Sequence, residues 1–170
     1  LDKLTELVET TFEKSESEVK DGMDIALCCL QRNGTTATLE YAGANNPLYI
    51  ISKRENVGAE SKELEQDGLY LHEIKADKQP IGKYAERKPF SPVKVELQPG
   101  DSVVVFSDGY ADQFGGERGK KFKYGTFKKL LIELSNEPMS EQHSQLDSAF
   151  EAWKGELEQV DDVCVIGVKI

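Results

Sequence analysis

Three carboxylates stand where they could act together on a cation. The apolar run Val103-Val104-Val105-Phe106 stops at Ser107-Asp108-Gly109, and Asp161-Asp162 opens the apolar run Val163-Cys164-Val165-Ile166. A buried strand that ends at Asp108 can hold that carboxylate over the end of a sheet, because Gly109 adds no Cβ to the turn. If the two strands are antiparallel neighbours, the end of one lies beside the start of the other, and Asp108 and Asp161 converge. Carboxylates brought that close repel unless one is protonated or a cation bridges them. Hard oxygen donors without His or Cys favour Mg²⁺ or Mn²⁺. Each motif taken singly is also ordinary turn composition beside a core strand. At this level both readings stand.

A second candidate follows the first turn. Arg118, Lys120, Lys121 and Lys123 lie in the Gly-rich segment from Phe114 to Gly125, the basic island of an acidic chain. Cations beside a metal site can hold a phosphorylated substrate, and a solvated surface loop is the competing reading. Asp112 is assigned to local structure. Ser107 has no nearby base motif, which sets aside nucleophilic serine chemistry. His72 and His143 fall in a strand and on a helix without a partner pattern, so packing or surface roles are expected. Trp153 shares helical spacing with Phe150 and Leu157 and is read as core.

The 170 residues carry 31 acidic and 21 basic side chains, a formal net charge of −10. That length suits one domain, here 1–170. The negative field opposes nucleic acid and anionic membrane surfaces as partners. No apolar run approaches the roughly 20 residues that span a bilayer, so no membrane segment is expected in this stretch. Cys28, Cys29 and Cys164 sit in apolar runs and read as buried thiols of a reducing, cytoplasmic compartment. Their number and spacing exclude a disulfide scaffold and a Cys/His zinc site.

The elements that must position these residues read as follows. Leu1, Leu4, Leu7, Val8, Thr11 and Phe12 recur at helical spacing. Asp21-Gly22 marks a turn, and Ile25 to Leu30 reads as a buried strand. Asn33-Gly34 signals a hairpin into a return strand from Thr36 to Ala42. Pro47 to Ser52 is a further strand, Lys53 to Gly68 a polar loop or long hairpin tip, and Leu69 to Ile74 a strand. Val93, Val95 and Leu97 alternate, Pro99-Gly100-Asp101 turns, and Ser102 to Phe106 is a buried strand. The period then changes. Phe127, Leu130, Leu131 and Leu134 predict one helix, Met139 to Leu157 a longer one, and Val163 to Ile170 a final strand. Hairpins followed by helices and a returning strand give an α+β class, with helices packed on a sheet or sheet pair.

The collinear order of several segments resembles the SpoIIE-like branch of the metal-dependent (PPM-type) protein serine/threonine phosphatases, in the C-terminal part of that domain. The resemblance runs through Gly22-Met23-Asp24-Ile25-Ala26-Leu27, Tyr41-Ala42-Gly43-Ala44-Asn45-Asn46-Pro47-Leu48 and Gln79-Pro80-Ile81-Gly82. It continues through Leu97-Gln98-Pro99-Gly100-Asp101 and Phe106-Ser107-Asp108-Gly109 to Asp161-Asp162-Val163. Ala44 stands where many relatives carry His, and Asp24 where an aromatic is usual.

The resemblance implies an antiparallel β-sandwich flanked by helices, in αββα layers, with the 126–134 and 139–157 segments as a helical pair on one outer face. It implies Asp108 and Asp161 as catalytic metal ligands, with Gly109 and Asp162 as further metal positions. Two Mn²⁺ or Mg²⁺ ions would activate a water that attacks a phosphoserine or phosphothreonine ester, the partner being a phosphorylated regulatory protein. The family's opening strands, with a bridging Asp and a Gly-His-Gly segment, have no counterpart here. Together with a start at Leu1 inside a helical pattern, this leads to the expectation of a domain lacking its N-terminal third, weak or inactive alone. Its parent could be membrane-anchored, and its exposed sheet edges would be open to self-association. A non-catalytic regulatory or interaction module of the same fold is the alternative. A plain cation-binding domain has little beyond net charge in its favour.

Overall fold

In the computed structural model of the chain, residues 1–12, 22–58 and 61–170 are described. Strands β1 (Ile25–Asn33), β2 (Thr36–Ala44), β3 (Leu48–Ser52), β4 (Ser61–Gln66), β5 (Leu69–Ile74), β6 (Val93–Leu97), β7 (Ser102–Phe106) and β10 (Val165–Lys169) form two antiparallel sheets. One has the order β1-β2-β6 and the other β10-β7-β3-β5-β4. A small hairpin pairs β8 (Phe114–Gly115) with β9 (Lys120–Lys121). Helices are α1 (Asp2–Phe12), α2 (Gly109–Asp112), α3 (Tyr124–Leu134) and α4 (Met139–Lys154).

Strand alternation builds the layers. Ala37, Leu39 and Tyr41 of β2 and Val95 and Leu97 of β6 meet Leu48, Ile50, Ile74 and Val103 of the larger sheet, giving the core between the sheets. The opposite face of the larger sheet presents Tyr49, Ile51, Leu71, Val104 and Phe106 to Phe127, Leu131 and Ile132 of α3 and Phe150 of α4. The helical pair therefore occupies one outer face, as the change of period and the family resemblance together imply. On the other side, α1 packs on Ile25 of β1 and Ala44 of β2, together with Ile81 and Phe90. The expected α+β sandwich with flanking helices is the observed architecture.

Several expectations change in detail. The segment Ile25–Leu30 is not a buried strand. It is the edge strand of the smaller sheet, extends to Asn33, and leaves Leu27 52% exposed. An apolar run with no partner on its outer side cannot bury both faces. The cysteines change with it: Cys28 is half-buried, Cys29 and Cys164 are exposed, and all three are free. In α1 the buried stripe is narrower than the sequence pattern implies. Leu1, Leu4 and Val8 pack inward, Thr5 is buried beside them, and Leu7 is 55% exposed. The side chain of Phe12 and the turn position Asp21 lie outside the described residues. The polar stretch 53–68 contains β4, which forms a hairpin with β5 through Asp67-Gly68. Both turn residues have positive φ, 52° and 74°, the pattern of a type I′ turn. At Gly34, by contrast, only the glycine takes positive φ (67°) in the two-residue loop between Asn33 and Thr36. Helix α4 stops at Lys154, so Leu157 lies beyond it and is exposed.

Candidate metal centre

Strand β7 pairs antiparallel with β10, Phe106 opposite Val165, so the outgoing end of one strand adjoins the incoming end of the other. The ladder continues one step past the strands, where Ser107 N–H donates to the Cys164 carbonyl at 2.9 Å. Ser107 Oγ then donates to the Asp162 carbonyl at 2.7 Å and accepts from Cys164 N–H at 2.9 Å. The hydroxyl thus cross-links the two strand ends, a role that the absence of a catalytic base motif does not reveal.

Gly109 shows why a glycine follows Asp108. A Cβ there would sit 2.5 Å from the Asp162 carbonyl oxygen and 3.3 Å from that of Asp161. Real Cβ contacts do not come as close as 2.5 Å, so the Asp162 backbone passes where a side chain would have to be. One helical turn, α2, starts at Gly109, and Asp112 N–H donates to the Asp108 carbonyl at 2.9 Å. Asp108, Asp161 and Asp162 are exposed while Gly109 is buried. Asp162 N–H donates to Asp161 Oδ1 at 2.7 Å, and Gln159 Nε2 donates to the Asp161 carbonyl at 2.8 Å. All four sequence-predicted metal positions, Asp108, Gly109, Asp161 and Asp162, therefore meet at one strand-end junction.

The donor set suits a hard divalent ion as a partial shell of carboxylate and carbonyl oxygens. Among the described residues, no three His, Cys, Asp or Glu side chains group closely enough to enclose a cation. The negative field extends to Tyr124, whose phenol is pushed up first by burial and then by Asp108, Asp112 and Glu73.

Three of the four other segments that carry the family resemblance gather at this end of the sheets, while Leu97–Asp101 lies at the far end, where β6 stops and β7 starts. The first residue of β3, Leu48, pairs with Val105 near the end of β7 and with Ile74 at the end of β5, and β2 also finishes here. Gly43 leaves room for the Tyr41 hydroxyl, which donates to the Asn46 carbonyl at 2.7 Å. Asn45 Nδ2 donates to Asp24 Oδ1 at 2.7 Å. Gln79 clasps Lys88 in both directions, donating to its carbonyl at 2.7 Å and accepting from its N–H at 2.9 Å.

The basic island is the β8–β9 hairpin and its flanks. Its stem is pinned to α4, with Gly116 N–H donating to the Trp153 carbonyl at 2.8 Å. Trp153 is only partly buried, and its indole Nε1 donates to the Gln113 carbonyl at 3.0 Å, so it anchors the hairpin as well as lining the core. Lys121 is held by Asp112 at 2.9 Å, which assigns both to a local pair. Arg118, Lys120 and Lys123 are exposed and carry no ion pair among the described residues. His72 is buried with Nε2 2.9 Å from the Arg54 carbonyl, and His143 lies exposed on α4. A cleft of about 560 Å³ between α4 and β10, lined by Met139, Leu146, Val163 and Val165, includes neither Asp108 nor Asp161.

A two-sheet antiparallel sandwich with a helical pair on its larger sheet is the fold of PP2C-type phosphatase domains. The SiaA-PP2C domain of Pseudomonas aeruginosa superposes with a TM-score of 0.73 at 23% identity, covering 98% of this chain and 56% of that one. The phosphatase domain of SpoIIE from Bacillus subtilis, from a Mn-presoaked crystal, gives 0.54 at 14% identity, covering 100% and 74%. The chain thus spans little more than half the length of the first of these. The family described as Stage II sporulation protein E (SpoIIE) matches residues 1–170, and the chain belongs to it. No curated protein matches the sequence. No helix among the described residues is long and apolar enough to cross a membrane.

Proposed function

We propose that this chain is the metal-binding C-terminal part of a cytoplasmic protein phosphatase domain that hydrolyses phosphoserine or phosphothreonine esters on a regulatory protein. The observation that carries the reading is the junction of Asp108-Gly109 with Asp161-Asp162, in a chain of the SpoIIE family. Asp108 and Asp161 would hold Mn²⁺ or Mg²⁺, with the Gly109 carbonyl and Asp162 beside them. Divalent ions in such a site supply Lewis-acid activation of water and offset charge on the transferring phosphoryl group. The chain's own part is to hold the carboxylates in place: Ser107 locks the strand ends, and the tight approach at Gly109 fixes the turn against Asp162. Arg118, Lys120 and Lys123 offer exposed cations to a phosphorylated partner, and Lys121 orders their hairpin through Asp112.

The bridging Asp and Gly-His-Gly segment of the family are absent from these 170 residues, and we place them upstream in the complete domain. The exposed edge residues Leu27 of β1 and Ile166 of β10 then mark surfaces open to that segment or to a second copy. Phosphate release from a phosphoserine protein, with and without Mn²⁺, tests the reading. The protein carrying its upstream reading frame should show Mn²⁺-dependent turnover, and the 170-residue chain should fall below it by at least about 10²-fold, the scale of losing one preorganised electrostatic element. Full metal-dependent turnover by the short chain would remove any catalytic need for upstream residues. No turnover by either would favour a non-catalytic interaction module.

A further inference from the structure

The segment between α4 and β10, residues 155–164, makes no regular ladder of its own, yet it must deliver Asp161 to the end of β7. Something other than secondary structure has to fix its backbone. Gln113, the residue after α2, is fully buried at 0% exposure. A buried glutamine must satisfy one acceptor and two donors or destabilise the fold. Here Nε2 donates to the carbonyls of Glu158 and Phe114, each at 2.9 Å, and Oε1 accepts from Val160 N–H at 3.3 Å. Its main-chain carbonyl accepts from Phe122 N–H at 2.9 Å and from Trp153 Nε1 at 3.0 Å. One side chain therefore grips the two backbone positions that flank Gln159, immediately before Asp161. It does so from the end of the single helical turn that begins after Asp108.

We infer that Gln113 is a positioning residue for the metal site: it sets Asp161 relative to Asp108 by fixing the backbone of residues 158–160 to the end of α2. The inference rests on the reading that Asp108 and Asp161 share a divalent ion. A glutamine that served only the core would stabilise the fold without affecting affinity for that ion. Partners that orient metal ligands typically change affinity or activity by about 10–100-fold when removed.

The test is Mn²⁺ binding to the 170-residue chain, followed by loss of the free-ion electron paramagnetic resonance signal. Gln113→Met keeps length and volume but loses the three side-chain hydrogen bonds. It should weaken Mn²⁺ binding about 10-fold in a protein whose circular dichroism is unchanged. Asp161→Asn should weaken it further. Adding Gln113→Met to Asp161→Asn should then cost nothing more, because the glutamine acts through that carboxylate. Gln113→Asn keeps the amide without adding charge but is one methylene too short to hold both Glu158 and Val160, and it replaces Gln113→Met in every arm if the methionine variant does not fold. Wild-type Mn²⁺ affinity in the folded Gln113 variant, beside a loss in Asp161→Asn, overturns the positioning role alone. Fully multiplicative losses overturn it too. Unchanged binding in Asp161→Asn overturns the metal reading itself, and the inference with it.

Discussion

Gly109 and Asp162 meet backbone to backbone: a Cβ on Gly109 would lie 2.5 Å from the Asp162 carbonyl oxygen. This contact fixes the turn that carries Asp108 to the segment that carries Asp161, and neither partner can give way by rotating a side chain. Gly109→Ala should force the two segments apart. The expected cost is about 1–3 kcal/mol, the range for overpacking. In a chain of this size that lowers the melting temperature by roughly 2–12 °C, at about 2–4 °C per kcal/mol. Thermal unfolding by circular dichroism checks it, and a melting temperature equal to wild type would show that the close approach relaxes freely.

Ser107 offers a separable test of the same junction. Ser107→Ala removes the donor to the Asp162 carbonyl and the acceptor for Cys164 N–H. Losing a hydrogen-bond partner of this kind costs about 1–3 kcal/mol, less where water can replace it. Ser107→Thr, which keeps the hydroxyl, should recover most of that loss. Denaturant midpoints of the two variants decide between a structural hydroxyl and a dispensable one.

Much of this arrangement was legible in the residue order. The run Val103–Phe106 ending at Asp108, and Asp161 opening the last strand, required only that β7 and β10 be antiparallel neighbours, and they are. The change from period two to period 3.6 after Gly125 located α3 and α4 because both bury one stripe on the larger sheet. Asp67-Gly68 carried a hairpin signal as clear as Asn33-Gly34, but the charged flanks of β4 hid the strand that it closes. The exposure of β1 was not legible, because an apolar run looks the same whether or not another layer covers its outer face, the face that carries Leu27. Gln113 was invisible for another reason. Its role depends on where the irregular segment 158–160 passes, and no local pattern encodes that.

The three thiols should differ in reactivity. Burial pushes the Cys28 thiol up to about 11, and Cys29 and Cys164 are exposed. The thiolate is the nucleophile, so at pH 8 Cys28 is almost entirely in the unreactive protonated form. Iodoacetamide at that pH should modify Cys29 and Cys164 first, with Cys28 lagging until the pH approaches 11 or the chain unfolds. Peptide mass spectrometry over a time course reads the order, and equal rates at all three would contradict the burial of Cys28.

If the hairpin cations meet a phosphorylated partner, those not already paired should matter most. Lys121 is engaged by Asp112, whereas Arg118 and Lys123 are exposed without an ion pair among the described residues. If an upstream-extended protein turns over a phosphoprotein, Arg118→Ala or Lys123→Ala should raise KM for it several-fold with kcat little changed. Lys121→Ala should shift stability by no more than about 1 kcal/mol, the usual limit for an exposed pair. Steady-state kinetics across the three variants distinguishes this from a hairpin that only covers α4.

The central claim is that Asp108 and Asp161 serve one metal-dependent hydrolytic site. The most direct measurement is phosphate release from a phosphoserine protein by the upstream-extended protein and its Asp108→Ala and Asp161→Ala variants, with Mn²⁺ supplied and withheld. Both carboxylates are exposed, so neither substitution should disturb the core, and circular dichroism should match wild type. Each variant is expected to lose at least about 10²-fold of the Mn²⁺-dependent rate, the loss typical of removing one preorganised electrostatic element. Turnover at the wild-type rate in either folded variant would contradict the claim and take that residue out of the site.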